Sequence, residues 1–237
     1  MKFPPTKAEA RISEIFSSLQ GEGTRLGERH LFVRFEECHI HCTYCDELDK
    51  GGVKMSQEDV LNAVARIDAD EGPHQFISFT GGEPLLYVEF LRPLIQELSQ
   101  KKHRIYLETN GILTPALKEI IHCVDVVAMD MKPSSVTGEK NYDGEHRSFL
   151  EIAKQKETFV KIIISKQLVL DEFLSLIGIV KEVAPRTPVI LVPLSSKIEG
   201  HDDQELMVLL NKLQRLGGRE IQDIRIVPRF HKILKIR

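Results

Sequence analysis

The 237-residue sequence predicts an α/β fold in which mostly parallel strands curve into a partial (βα) barrel. Apolar runs of strand length recur along the chain, and helix-compatible segments lie between most of them. These intervals are too long for hairpins, so they indicate right-handed helical crossovers between parallel strands. With 42% hydrophobic residues the chain can bury one sizeable core. We therefore expect residues 1–237 to form a single domain.

The strands and helices are predicted from these patterns in chain order. The strand-like runs are Leu31–Phe35, Phe76–Phe79, Arg104–Leu107, Val124–Met129, Phe159–Ile164, Pro188–Val192 and Ile224–Val227. The helical segments carry apolar residues at spacings of three and four; they are Met55–Ile67, Val88–Lys101, Ala116–Ile121, Ser148–Lys156, Asp171–Val183 and Asp203–Leu216.

Three irregular segments complete the predicted order. Asp46–Lys54, with two glycines and mixed charge, is a short loop. Lys132–His146, rich in Pro, Ser, Gly and Asn, is expected to lie on the active face or to replace a full helix. Before the first predicted strand, Gly21 and Gly23 flank Glu22, so this segment either lets the backbone approach a ligand closely or forms a turn.

Composition excludes several classes of function. The net charge of -3 gives no basic field of the kind that drives nucleic-acid binding, so we expect no nucleic-acid partner. The sequence has neither a charged leader followed by an apolar run nor an apolar stretch of about 18 residues. We therefore expect no membrane partner and a cytoplasmic location. Few cysteines, three of them clustered, fit a reducing compartment.

Cys38, Cys42 and Cys45 carry the strongest chemical signal. A compact C-x3-C-x2-C trio with no second pair downstream is incomplete as a zinc site, which usually takes four protein ligands. It favours a [4Fe-4S] cluster held by three thiolates, whose open iron can bind a small molecule and deliver an electron to it. The fourth cysteine, Cys123, is interpreted as a small buried apolar residue.

Two later strand ends offer groups that could bind a ligand. Gly81 and Gly82 follow the second apolar run, and their lack of side chains would let backbone groups face a ligand. Glu83 adds an acceptor for an ammonium group. Glu108 ends the third run, where acidic residues hold ribose hydroxyls in other nucleotide sites.

Together these motifs resemble the radical S-adenosylmethionine superfamily, whose core fold the predicted architecture matches. Within it, the chain is similar over nearly its full length to the 7-carboxy-7-deazaguanine synthase family. The matching segments are Ile15-Phe-Ser-Ser-Leu-Gln-Gly-Glu-Gly23, Phe32-Val-Arg34, Cys45-Asp46, Thr80 and His231-Lys232. The resemblance implies conversion of 6-carboxy-5,6,7,8-tetrahydropterin to 7-carboxy-7-deazaguanine with loss of ammonia, in queuosine and deazapurine biosynthesis.

The resemblance also implies roles for individual residues, with residues 1–30 as a substrate-contacting extension. The implied S-adenosylmethionine contacts are Tyr44, Cys45, Asp46, Gly82, Glu108, Asp130, Met131 and Lys132. The implied pterin contacts are Leu19, Gln20, Gly21, Arg34, Thr80 and the terminal carboxylate of Arg237. A one-electron donor such as flavodoxin and a homodimer are the expected protein partners.

The sequence departs from the family pattern at several positions on the cofactor or substrate side. Glu47 stands where the family has a threonine that coordinates Mg²⁺; its carboxylate is a hard oxygen ligand that could substitute. Asp130-Met131 replaces Ser-Pro before Lys132, Val192 replaces a glutamine, and Arg229-Phe230 replaces Gln-Thr. These changes indicate either a divergent member or a shifted substrate.

Two alternatives therefore stay open. The first is a radical S-adenosylmethionine enzyme with a different substrate, such as a peptide, a protein glycine or another heterocycle. The second is a non-enzymatic module in which the cysteines and His39, His41 or both hold zinc, although the spacing of the two histidines suits a shared tetrahedral site poorly.

Overall fold

The computed structural model describes residues 9–46, 51–194 and 203–236, which form one nine-stranded sheet flanked by helices. The strands are β1 (Glu9–Leu19), β2 (Arg29–Phe35), β3 (Val53–Ser56), β4 (Phe76–Gly81), β5 (Ile105–Thr109), β6 (Val126–Met131), β7 (Glu157–Ile164), β8 (Val189–Pro193) and β9 (Ile224–Ile226). Their order across the sheet is β3-β1-β2-β4-β5-β6-β7-β8-β9. Every neighbouring pair from β2 to β9 is parallel, which confirms the predicted α/β class.

The helices lie mainly in the crossovers between parallel strands. They are α1 (Gln57–Glu71), α2 (Val88–Gln100), α3 (Thr114–Ile120), α4 (Ser134–Thr137), α5 (Asp143–Ala153), α6 (Leu170–Val183), α7 (Gln204–Gly217) and α8 (Phe230–Leu234). None of the described helices is long and apolar enough to cross a membrane.

The core has two layers because successive strand residues face opposite sides of the sheet. The helix-facing side carries aliphatic residues such as Ile77 and Val127, which pack against the helices. The other side is filled by a smaller cluster that includes the bulky rings of Phe76, Tyr106 and Phe159. Burial of both faces explains why these strands read as continuous apolar runs.

Several elements differ from the sequence prediction. Residues 9–19 form a long edge-side strand, β1, antiparallel to β2, where no strand was predicted. The predicted loop Asp46–Lys54 extends too far, because Val53–Ser56 pairs with β1 as β3. Helix α1 therefore starts at Gln57, where Ser56 and Asp59 form a capping box. The segment Lys132–His146 contains α4 and the start of α5.

Candidate active site

A cavity of about 220 Å³ opens at the carboxyl ends of the parallel strands, the edge at which α/β folds bind ligands. The cysteine loop after β2 forms one wall, and residues after β4, β5 and β6 form another. Predicted site residues that line it are Leu19, Gln20, Gly21, Arg34, Cys38, Cys42, Tyr44, Cys45, Asp46, Thr80, Gly82, Glu108, Asp130 and Lys132. The fold thus brings nearly all the predicted site residues within the described ranges to one cavity.

Among the described residues with a predicted ligand contact, Met131 and Glu83 do not line the cavity. Met131 is fully buried in the helix-facing core, so its side chain does not line the cavity. Glu47 and Arg237 lie outside the described residues.

The three clustered cysteines all face the cavity. Cys42 is 7% exposed, and burial raises the pKa of both the Cys38 and Cys42 thiols. The side chains of His39 and His41, by contrast, are exposed and lie outside the cavity lining. Of the cysteine and histidine side chains of this loop, only the cysteines therefore line the cavity.

The segment after β6 holds the cysteine loop in place. Thr43 N donates to Thr137 O at 2.9 Å, and His41 N donates to Glu139 Oε1 at 2.6 Å. Tyr142 donates to the other oxygen of Glu139 at 3.2 Å, and its ring packs with Cys42. The predicted location of segment 132–146 on the active face is thus confirmed, and its role here is to shape the cysteine loop.

The glycine turn after β4 is required by the chain that leads to the cysteines. A Cβ at Gly82 would lie 2.2 Å from Glu37 O, and one at Gly81, whose φ is +126°, would lie 2.1 Å from Phe35 O. Any larger residue here would push the cysteine segment away. The glycines line the cavity, as expected, but they are needed first for this close packing.

Glu83 is not a cavity group, contrary to its predicted role as an ammonium acceptor. Its carboxylate is completely buried and accepts hydrogen bonds from Leu85 N at 3.0 Å, Thr109 Oγ1 at 2.9 Å and Asn110 N at 2.8 Å. Burial raises its pKa to about 7, although these hydrogen bonds oppose the shift. Glu83 therefore fastens the end of β4 to the end of β5.

Glu108 lies with the residues expected to contact substrate. Gln20 Nε2 donates to Glu108 Oε1 at 2.8 Å, and Thr80 Oγ1 donates to Glu108 Oε2 at 2.8 Å. Gln20 Oε1 in turn accepts from Glu22 N at 3.0 Å. The contacts join the turn after β1 to the ends of β4 and β5 in one polar cluster.

Four charged side chains that are mostly shielded from solvent form a connected chain along the cavity. Lys161 Nζ lies 2.9 Å from Glu22 Oε2 and 3.2 Å from Asp130 Oδ1, and Lys132 Nζ lies 2.7 Å from Asp130 Oδ2. Burial alone would raise the pKa of Asp130, but the two lysines outweigh it and lower that pKa to about 2. Lys132 also lies 3.4 Å from the Tyr44 hydroxyl.

The segment around α8 closes the cavity on the side of the turn after β1. Phe230 N donates to Gly21 O at 2.8 Å, and His231 packs so closely on Gly21 that a Cβ there would collide with its ring. Arg229 Nη1 lies 3.1 Å from Asp46 Oδ2, and Lys232 also pairs with Asp46. The segment thus bridges the predicted pterin-contacting turn and the cysteine loop.

Arg34 lies on the β1 side of the cavity. Its guanidinium sits 5.3 Å from the centre of the Phe16 ring, an arrangement that orients a planar cation. Phe16 and Phe32 stack beside it at 5.1 Å, which gives this wall a flat aromatic surface.

Sequence reasoning assigned no specific contact to several cavity residues, among them Asn110, Lys161, Arg229 and His231. Lys161 had a usable signal, because a lone lysine interrupts the apolar run Phe159–Ile164 and lysine is almost never buried unless paired. For Arg229 and His231 the only signal was the comparison with the family pattern, since the chain path is what brings α8 to the cavity.

The donor set fits an iron–sulfur cluster better than a single metal ion. Across the described ranges, no three His, Cys, Asp or Glu side chains are arranged to hold one metal ion. The zinc alternative needs such a group, with all ligands converging on one centre. A cubane cluster binds each thiolate at a different iron, and three sulfurs spaced around a cavity wall suit it.

Known proteins resemble this chain in sequence. Residues 32–133 match the model of the Radical SAM superfamily. A 7-carboxy-7-deazaguanine synthase from Geobacter sulfurreducens is 32% identical over 249 residues, covering 97% of this chain and 98% of the relative. One from Archaeoglobus fulgidus is 32% identical, covering 96% of this chain and 99% of the relative.

Solved structures agree on the fold. QueE from Escherichia coli matches with a TM-score of 0.64 at 18% identity, covering 94% of this chain and 95% of that one. At this identity the match supports the partial-barrel architecture alone. The full-length sequence relatives carry the assignment further. The chain belongs to the 7-carboxy-7-deazaguanine synthase family of radical S-adenosylmethionine enzymes.

Proposed function

We propose that this enzyme converts 6-carboxy-5,6,7,8-tetrahydropterin to 7-carboxy-7-deazaguanine with loss of ammonia, a step of queuosine and deazapurine biosynthesis. The relatives named 7-carboxy-7-deazaguanine synthase support this assignment. The observation that carries it in the structure is that one cavity joins the cysteine trio to the cluster of Gln20, Thr80 and Glu108. A cofactor and a polar heterocycle can therefore meet there.

The cofactors are a [4Fe-4S] cluster on Cys38, Cys42 and Cys45, and S-adenosylmethionine beside it. When bound and reduced, this pair supplies the 5′-deoxyadenosyl radical that abstracts hydrogen from the substrate. The chain's own residues position the reactants and exclude water. Tyr44 and Lys132 lie between the cysteines and the buried charges, where they can orient the cofactor's polar groups.

Glu108 is better placed to meet the substrate than the ribose. Its two oxygens are each held by one predicted substrate contact, Gln20 and Thr80. A carboxylate and an amide presented side by side match the adjacent N–H and carbonyl groups on the edge of a pterin ring. We assign Glu108 to that edge.

The substrate carboxylate is assigned to Arg34. A guanidinium fixed over the Phe16 ring can pair with a carboxylate through two hydrogen bonds. Contacts from Glu47 through Mg²⁺, and from the Arg237 carboxylate, remain proposals from the family resemblance. Leu19 and Gly21 complete the same wall.

The partners proposed from the family are a one-electron donor such as flavodoxin and a second copy of the chain in a homodimer. A cytoplasmic location is proposed with them, since a low-potential cluster needs a reducing compartment.

A radical S-adenosylmethionine enzyme acting on another substrate is the second candidate. It is favoured by two of the departures from the family pattern, Asp130 and Arg229, which both line the cavity. Either could change which polar groups a bound molecule must present.

Turnover by the anaerobically reconstituted protein separates the two. With the carboxytetrahydropterin, S-adenosylmethionine and a reductant, we expect the ring-contracted product, and a parallel reaction without Mg²⁺ measures the metal requirement. Cleavage of the cofactor to 5′-deoxyadenosine with no pterin product would favour the second candidate.

A further inference from the structure

Asn110 lies between the cysteine loop and the rest of the cavity, and nothing in the proposed function uses it. It follows β5, lines the cavity and is 5% exposed. Its Nδ2 lies 3.8 Å from Cys38 Sγ, within reach of a hydrogen bond to sulfur. Its Oδ1 is buried and has no hydrogen-bond partner within the described part of the chain. A buried acceptor of this kind is unfavourable unless a ligand satisfies it.

The surroundings fix where Asn110 points. Its backbone N–H donates to the buried carboxylate of Glu83 at 2.8 Å. The carbonyl of the next residue, Gly111, bonds to His146 Nδ1 at 3.1 Å. Glu83 and His146 are both completely buried, so the backbone that carries the Asn110 side chain is held rigidly.

The chemistry of the sulfur fixes which end of the amide faces Cys38. A cysteine thiolate bound to iron has no proton and can only accept a hydrogen bond. The group facing Sγ must therefore be the amide nitrogen, since the amide oxygen has no proton to donate. This orientation leaves Oδ1 as an acceptor without a protein partner.

We propose that Asn110 is a cofactor-binding residue with two linked roles: Nδ2 donates to the Cys38 thiolate, and Oδ1 accepts from an N–H of the amino group of S-adenosylmethionine. The first contact tunes the cluster, because reduction adds negative charge that a hydrogen-bond donor at sulfur stabilises. The amino group offers N–H donors that can satisfy this buried acceptor. The inference rests on the cofactors of the proposed function but not on its pterin.

Two substitutions separate the two roles. Asn110→Asp keeps the shape and an acceptor oxygen but loses the donor to sulfur and adds a negative charge. Asn110→Ala loses both donor and acceptor while keeping the backbone bond to Glu83. Asn211→Asp, on the exposed side of α7, adds the same charge away from the cavity and serves as the matched control.

All readouts are taken on anaerobically reconstituted protein without pterin. They are the iron content, the midpoint potential from a redox titration followed by electron paramagnetic resonance, and the dissociation constant of S-adenosylmethionine from its effect on the spectrum of the reduced cluster. We expect wild-type iron content in every variant. Asn110→Asp should make reduction about tenfold less favourable, which is about 59 mV for one electron.

The two Asn110 variants should differ in their dissociation constants for S-adenosylmethionine. Asn110→Ala should weaken S-adenosylmethionine binding about tenfold, whereas Asn110→Asp should bind at least as tightly as wild type, because a carboxylate also accepts a hydrogen bond from an amino group. The control should match wild type in both readouts.

An unchanged potential in Asn110→Asp, an unchanged affinity in Asn110→Ala, or loss of iron from either variant would overturn the paired role. A wild-type protein that binds neither cluster nor S-adenosylmethionine would instead refute the proposed function.

Discussion

Replacing Lys161 with methionine should strongly destabilise the protein. The lysine is 8% exposed and pairs with two carboxylates, Glu22 at 2.9 Å and Asp130 at 3.2 Å. Methionine keeps most of the aliphatic stem, so the main change is the loss of charge. Asp130 still has Lys132, but Glu22, whose side chain is only 18% exposed, loses its ion-pair partner. Breaking a buried pair in this way typically costs about 3–5 kcal/mol.

The assay is anaerobic urea unfolding followed by circular dichroism, compared through a double-mutant cycle with Glu22→Gln. Glu22→Gln removes the carboxylate that Lys161→Met would leave unpaired. Lys161→Met should therefore lower the free energy of unfolding by at least about 1 kcal/mol less in the Glu22→Gln background than in wild type. Lys166→Met is the control, because Lys166 is 49% exposed and pairs with Asp203 at the surface. It should cost less than about 1 kcal/mol. If Lys161→Met lowers the free energy of unfolding by less than about 1 kcal/mol, or if its effect is strictly additive with that of Glu22→Gln, the reasoning is refuted.

Two further predictions concern the glycine turn and the response to acid. Gly82→Ala should destabilise the protein by about 1–3 kcal/mol and lower its iron content, because the new Cβ would meet Glu37 O. Gly144→Ala, in open space on α5, should instead stabilise it by about 0.5–1 kcal/mol, and equal effects would contradict the steric argument. Burial lowers the pKa of His30 and His146 to about 4, so the unfolded chain takes up protons first as the pH falls below about 6.5. The free energy of unfolding should therefore drop by about 1.4 kcal/mol per pH unit for each histidine between pH 6.5 and 4. In His146→Gln the pH dependence of the free energy of unfolding, measured with urea, should be shallower by about 1.4 kcal/mol per pH unit. An unchanged slope in this variant would contradict the assignment.

The parallel core was predictable because each central strand is buried on both faces and so appears as an apolar run. The two antiparallel strands at the β3 end of the sheet, β1 and β3, were not predicted. In β1, Glu14 and Ser18 interrupt the apolar residues, and its pairing with β2 depends on contacts between segments that are distant in sequence. Strand β3 has only four residues, two of them exposed.

In the candidate site, too, some features were predictable from the sequence and others were not. Motifs that lie within one short segment, such as the cysteine trio and the glycine turn, were predicted with their location. Contacts between segments were not: the pairing of Asp46 with Arg229 joins residues 183 positions apart. Glu83 shows a further limit, because its motif predicts a ligand contact while the fold buries the carboxylate against β5.

The central claim is that this cavity brings a radical-generating cluster to a carboxytetrahydropterin. The most direct test is the stoichiometry of one reaction, in which 7-carboxy-7-deazaguanine, ammonia and remaining S-adenosylmethionine are measured together for wild type and for Cys42→Ala. We expect wild type to release one ammonia for each product formed while S-adenosylmethionine is not consumed, and the variant to form none. Ammonia and product absent from the wild-type reaction, with the cluster fully loaded, would contradict the claim.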